Sequence, residues 1–394
     1  MKDKKQNKRI NGGHRLLFFC ILCLFGLYVA VSYAEEQPQR EQSKTKVILL
    51  HTDNLTYDQY RHPGAQILTG NVQFQHDGVL MYCDSACFYE ATNSFDAFGH
   101  VKMVQGDTLD LVGDMLLYNG LDQLARVRHN VVLTHRESKL YTDSLDYDRL
   151  YELGYFFEGG KLVDKDNVLT SDWGQYSPPT RQAVFNYNVK LENPKFTLIS
   201  DTLNYNTLTS MAEIVGPSNI DSGDNHIYSE SGFYNTQTEE AILLDRSIVT
   251  NKGRKMVGDS LYYDSKSGVG EGFRNVVYTD EVNKNMLTGN YCYYNDSTGY
   301  SMATDSAVAI DYSQRDTMYM HADTFKVYTF YMDTDSMYRE VRGYHKVRSY
   351  RMDVQSVCDS LVFDSRDTCI TMYRDPIVWN GGQQVLGEVI KVYL

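Results

Sequence analysis

Apolar and polar residues return at fixed places along the chain, in a short phrase that begins with Asp. In its clearest form, residues 143–148, the phrase reads Asp-Ser-Leu-Asp-Tyr-Asp and carries Leu145 and Tyr147 two and four places after the first Asp. Counting weaker copies, the phrase begins at residues 53, 84, 114, 143, 172, 201, 230, 259, 289, 323 and 359. Most of these spacings are 29 to 31 residues, which predicts a repeat architecture of about eleven units.

An apolar residue also stands three places before the first Asp, as Leu140 does before Asp143. Alternate residues share a face of a flat strand, so Leu140 and Leu145, five steps apart, would point to opposite faces. Both point inward only if the strand changes face between them. A β-bulge or corner at the small residue and the Asp, here Thr142 and Asp143, would produce that change.

Turn-forming Asp and Asn residues separate short stretches rich in Tyr, Val and Thr, and the part of the chain after the first 46 residues shows no convincing helical periodicity. We therefore predict an all-β chain over residues 47–394, with repeats that become irregular at about 323–360. A further copy of the phrase begins at Glu388, which predicts a free edge strand or a repeat that continues in the gene.

The inward positions of successive units predict one continuous apolar face. If the two walls of each unit stay apart, this face is a trough in which acyl chains would be buried; if the walls close, the same residues are core. Both interpretations remain open from the sequence. The candidate lining residues are Leu116, Leu145, Tyr147, Leu203, Tyr205, Leu261, Tyr263, Met256 and Met286.

Charge and motifs narrow the function classes. The formal net charge of −13 argues against a nucleic-acid partner, because binding to phosphates needs a basic face. No nucleophile elbow, zinc-protease motif or phosphate loop is present, and an Asp that recurs in nearly every unit indicates a structural role, so we predict no enzyme and no catalytic residue. The five Cys after residue 34 lack His at ligand spacing, which favours small buried thiols over a metal site; no metal or other cofactor is expected.

The amino-terminal segment predicts export. Basic residues precede the apolar run 16–31, and Ser32-Tyr33-Ala34 fits a small-x-small cleavage site. Residues 1–34 are thus a signal peptide or a retained N-terminal anchor, and residues 35–46 are a polar linker. Near the other end, residues 338–348 form the most basic stretch after the leader, interpreted either as a solvated loop or as a longer hairpin that contacts a partner or lipid phosphates.

The repeated phrase, together with Leu-Thr-Gly-Asn-Val at 68–72 and the run 78–89, resembles the OstA-like family, named for organic solvent tolerance. The closing run 375–390 resembles the end of such a module. The family includes periplasmic lipopolysaccharide-transport proteins and the amino-terminal domain of the outer-membrane lipopolysaccharide assembly protein. The resemblance implies a β-jellyroll, a stack of antiparallel strands folded over like an open taco, whose inner groove receives acyl chains.

The family resemblance further implies non-enzymatic lipid binding and transport in the periplasm, which contributes to outer-membrane assembly. Tethering to the inner membrane through residues 16–33, or association with the outer membrane, is a further expectation. Expected partners are lipopolysaccharide or lipid A, and inner- and outer-membrane transport proteins that pair with the edge strands. The alternative is a closed structural or adhesive β-helix that binds no lipid.

Overall fold

The computed structural model describes residues 45–332 and 334–393, so the predicted leader at 1–34 and nearly all of the linker at 35–46 lie outside the described residues. Thr45–Leu394 forms one compact unit with its own hydrophobic cores, and we treat it as the folding unit. Its regular structure is β-strand apart from one short 3-10 turn, Glu90–Thr92. No helix in the described part is long and apolar enough to cross a membrane.

The described chain contains thirty strands, numbered β1 to β30. The first ten are Ile48–His51, Asn54–Tyr57, Gln66–His76, Val79–Tyr89, Ser94–Gln105, Leu109–Asn119, Leu124–His135, Ser138–Asp148, Leu153–Phe156 and Gly160–Asp164. β11 to β20 are Asn167–Ser171, Trp173–Ser177, Gln182–Asn193, Phe196–Asn206, Met211–Ser222, Asn225–Asn235, Glu240–Leu244, Ile248–Asn251, Arg254–Val257 and Ser260–Asp264. β21 to β30 are Val269–Asp280, Asn285–Asn295, Tyr300–Asp311, Met318–Phe330, Tyr338–Tyr350, Val354–Asp364, Cys369–Tyr373, Ile377–Asn380, Gln383–Leu386 and Val389–Tyr393.

All strand pairs in this single sheet are antiparallel, and each long strand pairs with the strands just before and after it in the chain. The predicted all-β, repetitive antiparallel fold is therefore confirmed. The basic stretch at 338–348 lies in β25, which with β24 forms the longest hairpin of the described chain at 13 residues per strand. The predicted strand after Glu388 is β30, which pairs with β27.

Paired long strands bend together near their middles, at a bulge that one strand of the pair carries. Between β5 and β6, for example, Gly99 and His100 together oppose the single residue Asp114, so the register shifts there. Both bulge residues have positive φ, at 76° and 40°. Because only Gly, Asn and a few other residues adopt this backbone readily, the Gly-Asn and Gly-His pairs before β-branched residues mark the corners in the sequence.

The recurring Asp holds this corner. Asp172 donates its backbone N–H to the carbonyl of Tyr187, the first bulge residue, at 3.0 Å. Its side chain accepts a hydrogen bond at 2.7 Å from the amide of Asn188, the second bulge residue. Asp259 and Asn275 repeat the same arrangement at 2.8 Å. The first Asp of the phrase is therefore a structural residue that satisfies the polar groups of a bulge.

The corners fold the sheet into two facing walls. We call wall A the first half of β6, Leu109–Val112, and every strand segment paired in series with it. Wall B is the second half, Met115–Asn119, and its series. The inward faces of the two walls build the interior, which falls into a large core cluster from Val47 to Leu261 and a smaller one from Val276 to Val378.

Candidate functional site

The interior of the folded sheet is lined by cross-strand rows of apolar side chains. On wall A, direct pairing joins Leu111, Leu133 and Leu140, and the row continues strand by strand through Leu198 to Met256. On wall B, Leu116 pairs with Val127, and Val127 pairs with Leu145. Side chains that oppose each other directly across strands pack closely, so each row forms a continuous apolar strip along the molecule.

A second row on wall B alternates tyrosine with a small residue. Each tyrosine ring lies beside Ala or Gly on the neighbouring strands, and this alternation lets large rings fill the interior without collision. The row runs Tyr118, Ala125, Tyr147, Gly154, Tyr176, Ala183, Tyr205, Ala212, Tyr234, Ala241, Tyr263, Gly270 and Tyr294.

From β3 to β17 three tyrosine hydroxyls, those of Tyr118, Tyr176 and Tyr205, and residues at the turns latch the two walls together. The hydroxyl of Tyr205 donates to Oδ2 of Asp164 on wall A at 2.8 Å and accepts from the amide of Asn167 at 2.9 Å. Ser138 donates to the other oxygen of Asp164 at 2.8 Å, and Asn167 also reaches Thr236 at 2.9 Å. All of these groups are buried, so the contacts between the walls exclude water there.

Two histidines make similar latches. The hydroxyl of Tyr118 lies 2.7 Å from Nδ1 of His76, and that of Tyr176 lies 2.8 Å from Nδ1 of His135. Burial lowers the pKa of both imidazoles, so the neutral ring is the form that hydrogen-bonds to the tyrosine hydroxyl. Burial likewise raises the pKa of Tyr118 and Tyr176, which keeps the hydroxyls protonated.

At the turns, ion pairs and hydrogen bonds add to this closure. Lys195 on wall A bonds to Glu239 on wall B, and Lys165 donates to Ser210 at 3.0 Å. Glu239 is the last described residue that hydrogen-bonds across the two walls. We call the part from β3 to β17 the latched part and the part from β19 to β30 the open part.

In the open part the inward-facing apolar side chains next to the corner stay buried, for example Phe325 at 1% and Leu361 at 2% exposed, whereas many of those further from the corner are partly exposed. Leu111 and Leu140 in the latched part are 1% exposed, whereas most of their apolar counterparts in the wall A row of the open part, apart from Val378, are only half-buried. The side chains that continue the tyrosine row of wall B are half-buried as well. These half-buried residues, each continuing a row of the latched part, are Tyr278, Leu287, Ala309, Met320, Val327, Val341, Phe363, Ile370 and Val392. The interior is thus closed in the latched part, whereas in the open part a strip of apolar side chains away from the corner is partly exposed between the walls; we call this strip the trough.

The predicted lining residues divide between the two parts. Five are at most 1% exposed within the latched part, and Leu261, at 2% exposed, lies on β20 near the start of the open part. Met256 and Tyr263 follow on the inward side and are partly exposed. The five are Leu116, Leu145, Tyr147, Leu203 and Tyr205.

Met286 needs a correction, because it lies on the outer face. The bulge of this unit lies between Thr288 and Tyr291, so Asn290 occupies the place of the recurring Asp and the phrase begins one residue later than predicted. Asn290 accordingly donates to Asp305 across the corner at 3.2 Å. Leu287, three residues before Asn290, takes the inward place and packs against the second core cluster.

Beyond Met256, Leu261 and Tyr263 at its start, the inward residues of the open part are not among those predicted from the sequence. The repeat phrase could have found Val327 and Phe363, which stand four places after the Asp at 323 and 359. Ala309, Val341 and Ile370 lie on the alternate strands, whose inward positions follow from cross-strand pairing and not from the phrase.

The described residues contain no group of three or more His, Cys, Asp or Glu that could hold a metal ion. The five cysteines in this part are free, and four of them are buried. Burial raises the pKa of the Cys83 and Cys292 thiols to about 12, which keeps them protonated and unreactive. They are packing residues of walls A and B.

The fold and its interior define a class: a solenoid of antiparallel strands folded into two walls around an apolar interior. The model of the OstA-like protein family matches residues 44–201 and 197–259, more than half of the chain, and the chain belongs to this family. The matched residues cover the latched part and stop near the start of the open part.

A solved structure and the curated proteins were also compared. The crystal structure of LptH from Pseudomonas aeruginosa is described as that of the LptA-homologous periplasmic component of the lipopolysaccharide transport device. It shares 16% sequence identity with this chain, over 36% of this chain and 94% of LptH, with a TM-score of 0.26. No curated protein matches the chain.

Proposed function

We propose that this protein is a non-enzymatic carrier of lipopolysaccharide or a related lipid A-type lipid in the periplasm, where it contributes to outer-membrane assembly. Membership of the OstA-like family supports this function. The observation that carries it is the trough of the open part, where inward apolar residues such as Tyr278, Val327 and Val392 are partly exposed between two walls that no described hydrogen bond ties together. Each methylene buried there would contribute about 0.8 kcal/mol.

The lipid would be held by its tails. The phosphorylated head would remain in solvent at the mouth between the walls, since a protein of net charge −13 offers no general attraction for phosphate. Met256 and Met320 suit a wall that accepts chains of varied length, because the thioether side chain adapts to irregular contacts.

Partners would be an inner-membrane extraction complex and an outer-membrane insertion protein, which would meet the chain by strand addition. Strands β1 and β2 each pair with β3, and β29 and β30 each pair with one described neighbour, β28 and β27. These four strands supply the edges for such pairing.

The test uses a lipid A derivative with a photoreactive diazirine in its acyl chains. Residues 35–394 are illuminated with this lipid, digested, and analysed by mass spectrometry for peptides that carry the adduct. We expect adducts on inward residues of the open part, such as Val327, Val341 and Phe363. No adduct anywhere in a folded protein would refute lipid carriage and favour the closed structural solenoid.

A pair of variants links the adducts to the trough. Val327→Arg places a charge on the partly exposed inner face, and we expect it to abolish labelling while the protein stays folded, since the side chain can reach water. The control is Lys326→Arg, at the preceding residue, which lies on the outer face; this variant should be labelled to the same extent as the parent. Equal labelling of the two variants would exclude the trough as the binding place.

A further inference from the structure

The outer face of wall A changes character at the start of the open part. Two cross-strand rows cover it from β19 to β29, one from Lys255 to Gln384 and the other from Val257 to Leu386. These eighteen residues contain no Asp or Glu, in a chain that has 51 of them. The same rows in the latched part include Asp110, Glu192 and Asp221.

Aromatic and aliphatic side chains dominate this carboxylate-free face. Ile310, Tyr319 and Tyr350 follow one another by direct pairing, with Trp379 two strands further along the same row. Tyr319 is 45% exposed and Tyr350 is 53% exposed. In a soluble protein, an exposed apolar strip of this kind commonly marks an interaction surface.

The charges on this face are basic and lack acidic partners. His321 lies directly opposite Arg348, an arrangement of two basic side chains that disfavours the fold when both are charged. Neither forms an ion pair within the described residues, and both are exposed. Two carboxylates at the neighbouring corner and turn are engaged elsewhere: Asp359 pairs with Arg374 at 2.9 Å, and Asp353 pairs with Arg351 at 2.6 Å.

We infer that this outer face of wall A, centred on Tyr319, Arg348 and Tyr350, docks on the surface of a bilayer that contains anionic phospholipid. The basic side chains of this face are complementary to the negative charge of such a bilayer, although the protein as a whole is strongly acidic. Tyr and Trp rings settle at the level of lipid headgroups, and Arg beside them reaches the phosphates. This sheet face lies outside the trough, so the inference stands or falls independently of lipid carriage.

The experiment is flotation of residues 35–394 with vesicles of phosphatidylcholine alone or mixed with phosphatidylglycerol, at low and high salt. We expect flotation with the mixed vesicles at low salt and little with phosphatidylcholine alone. Arg348→Glu should weaken partitioning roughly 10- to 30-fold, because it exchanges an attracted charge for a repelled one. Tyr319→Ser with Tyr350→Ser should weaken it at both salt concentrations, since burial of the rings is insensitive to screening.

The matched control is Lys139→Glu with Tyr141→Ser, at the equivalent rows of wall A in the latched part. This variant should float like the parent. The inference is overturned if the parent does not float with the mixed vesicles or floats equally well without phosphatidylglycerol. It is also overturned if the control variant loses as much vesicle binding as Arg348→Glu. Self-association of the parent without flotation, measured by sedimentation velocity, would instead assign the face to contact between two copies.

Discussion

The latch between Tyr205 and wall A offers the sharpest test of the closed interior. In Tyr205→Phe the ring remains, but the hydroxyl that donates to Asp164 and accepts from Asn167 is lost. A hydrogen bond to a carboxylate contributes about 1.5–3 kcal/mol and a neutral one about 1 kcal/mol. Asp164 keeps Ser138 and Asn167 keeps Thr236, so we expect a loss of about 2–3 kcal/mol in the free energy of unfolding.

Tyr234→Phe is the matched control, because Tyr234 lies in the same row and its hydroxyl has no hydrogen-bond partner among the described residues. We expect it to cost less than about 0.5 kcal/mol. The assay is urea unfolding of residues 35–394 followed by circular dichroism, with midpoints compared at equal slopes. Equal midpoints for the two variants would refute the view that buried hydrogen bonds hold the walls together.

Four further outcomes test the architecture. Acidification from about pH 8 to about pH 5 should lower the free energy of unfolding, because burial holds the pKa of His76 and His135 below the unfolded value of 6.5. The stabilisation that comes from the neutral imidazoles is complete above pH 6.5 and is lost as the pH falls below it. In the double variant His76→Gln with His135→Gln, the urea midpoint should vary less with pH than in the parent. The same pH dependence in both proteins would contradict the role given to these two histidines. Gly270→Ala should destabilise the protein by about 1–3 kcal/mol, since a Cβ there would lie 2.0 Å from the Tyr294 ring. Gly154→Ala in the same row meets only ordinary contacts at 3.5 Å and should be tolerated. Equal changes in melting temperature for the two variants would count against the tight packing of this tyrosine row. Asn188→Ala should cost about 1–2 kcal/mol, because it removes the bond to Asp172 and leaves alanine at a φ of 53°, while Asn188→Gly, which keeps the backbone freedom, should cost less in the same urea assay. Leu203→Arg should prevent folding, since the side chain is fully buried, in contrast to Val327→Arg, which should retain the parent circular dichroism spectrum.

The repeat, the all-β class and the corner are predictable from local sequence pattern. The period, the odd number of steps between Leu140 and Leu145, and the small residue before each Asp together required a change of face at Asp143, and the corner lies there; the bulged pair, however, is on the neighbouring strand, where His129 and Asn130 oppose Asp143. These features are local, because backbone conformation and side-chain alternation within one strand depend on a few neighbouring residues. The same local pattern failed at Met286, where Gly289 in the place of a small residue was taken for the start of the phrase.

Where the interior is closed and where it is open depends on contacts between residues far apart in the chain. Tyr205 and Tyr294 have the same pattern in sequence, but Tyr205 meets Asp164 and Asn167 on the opposite wall, about 40 residues away in the chain. In the open part no described residue bridges the two walls in this way. A latch needs a donor and an acceptor from two strands separated by intervening units. Periodicity places each residue on an inward face, but the partner across the interior is set by how the whole sheet folds over.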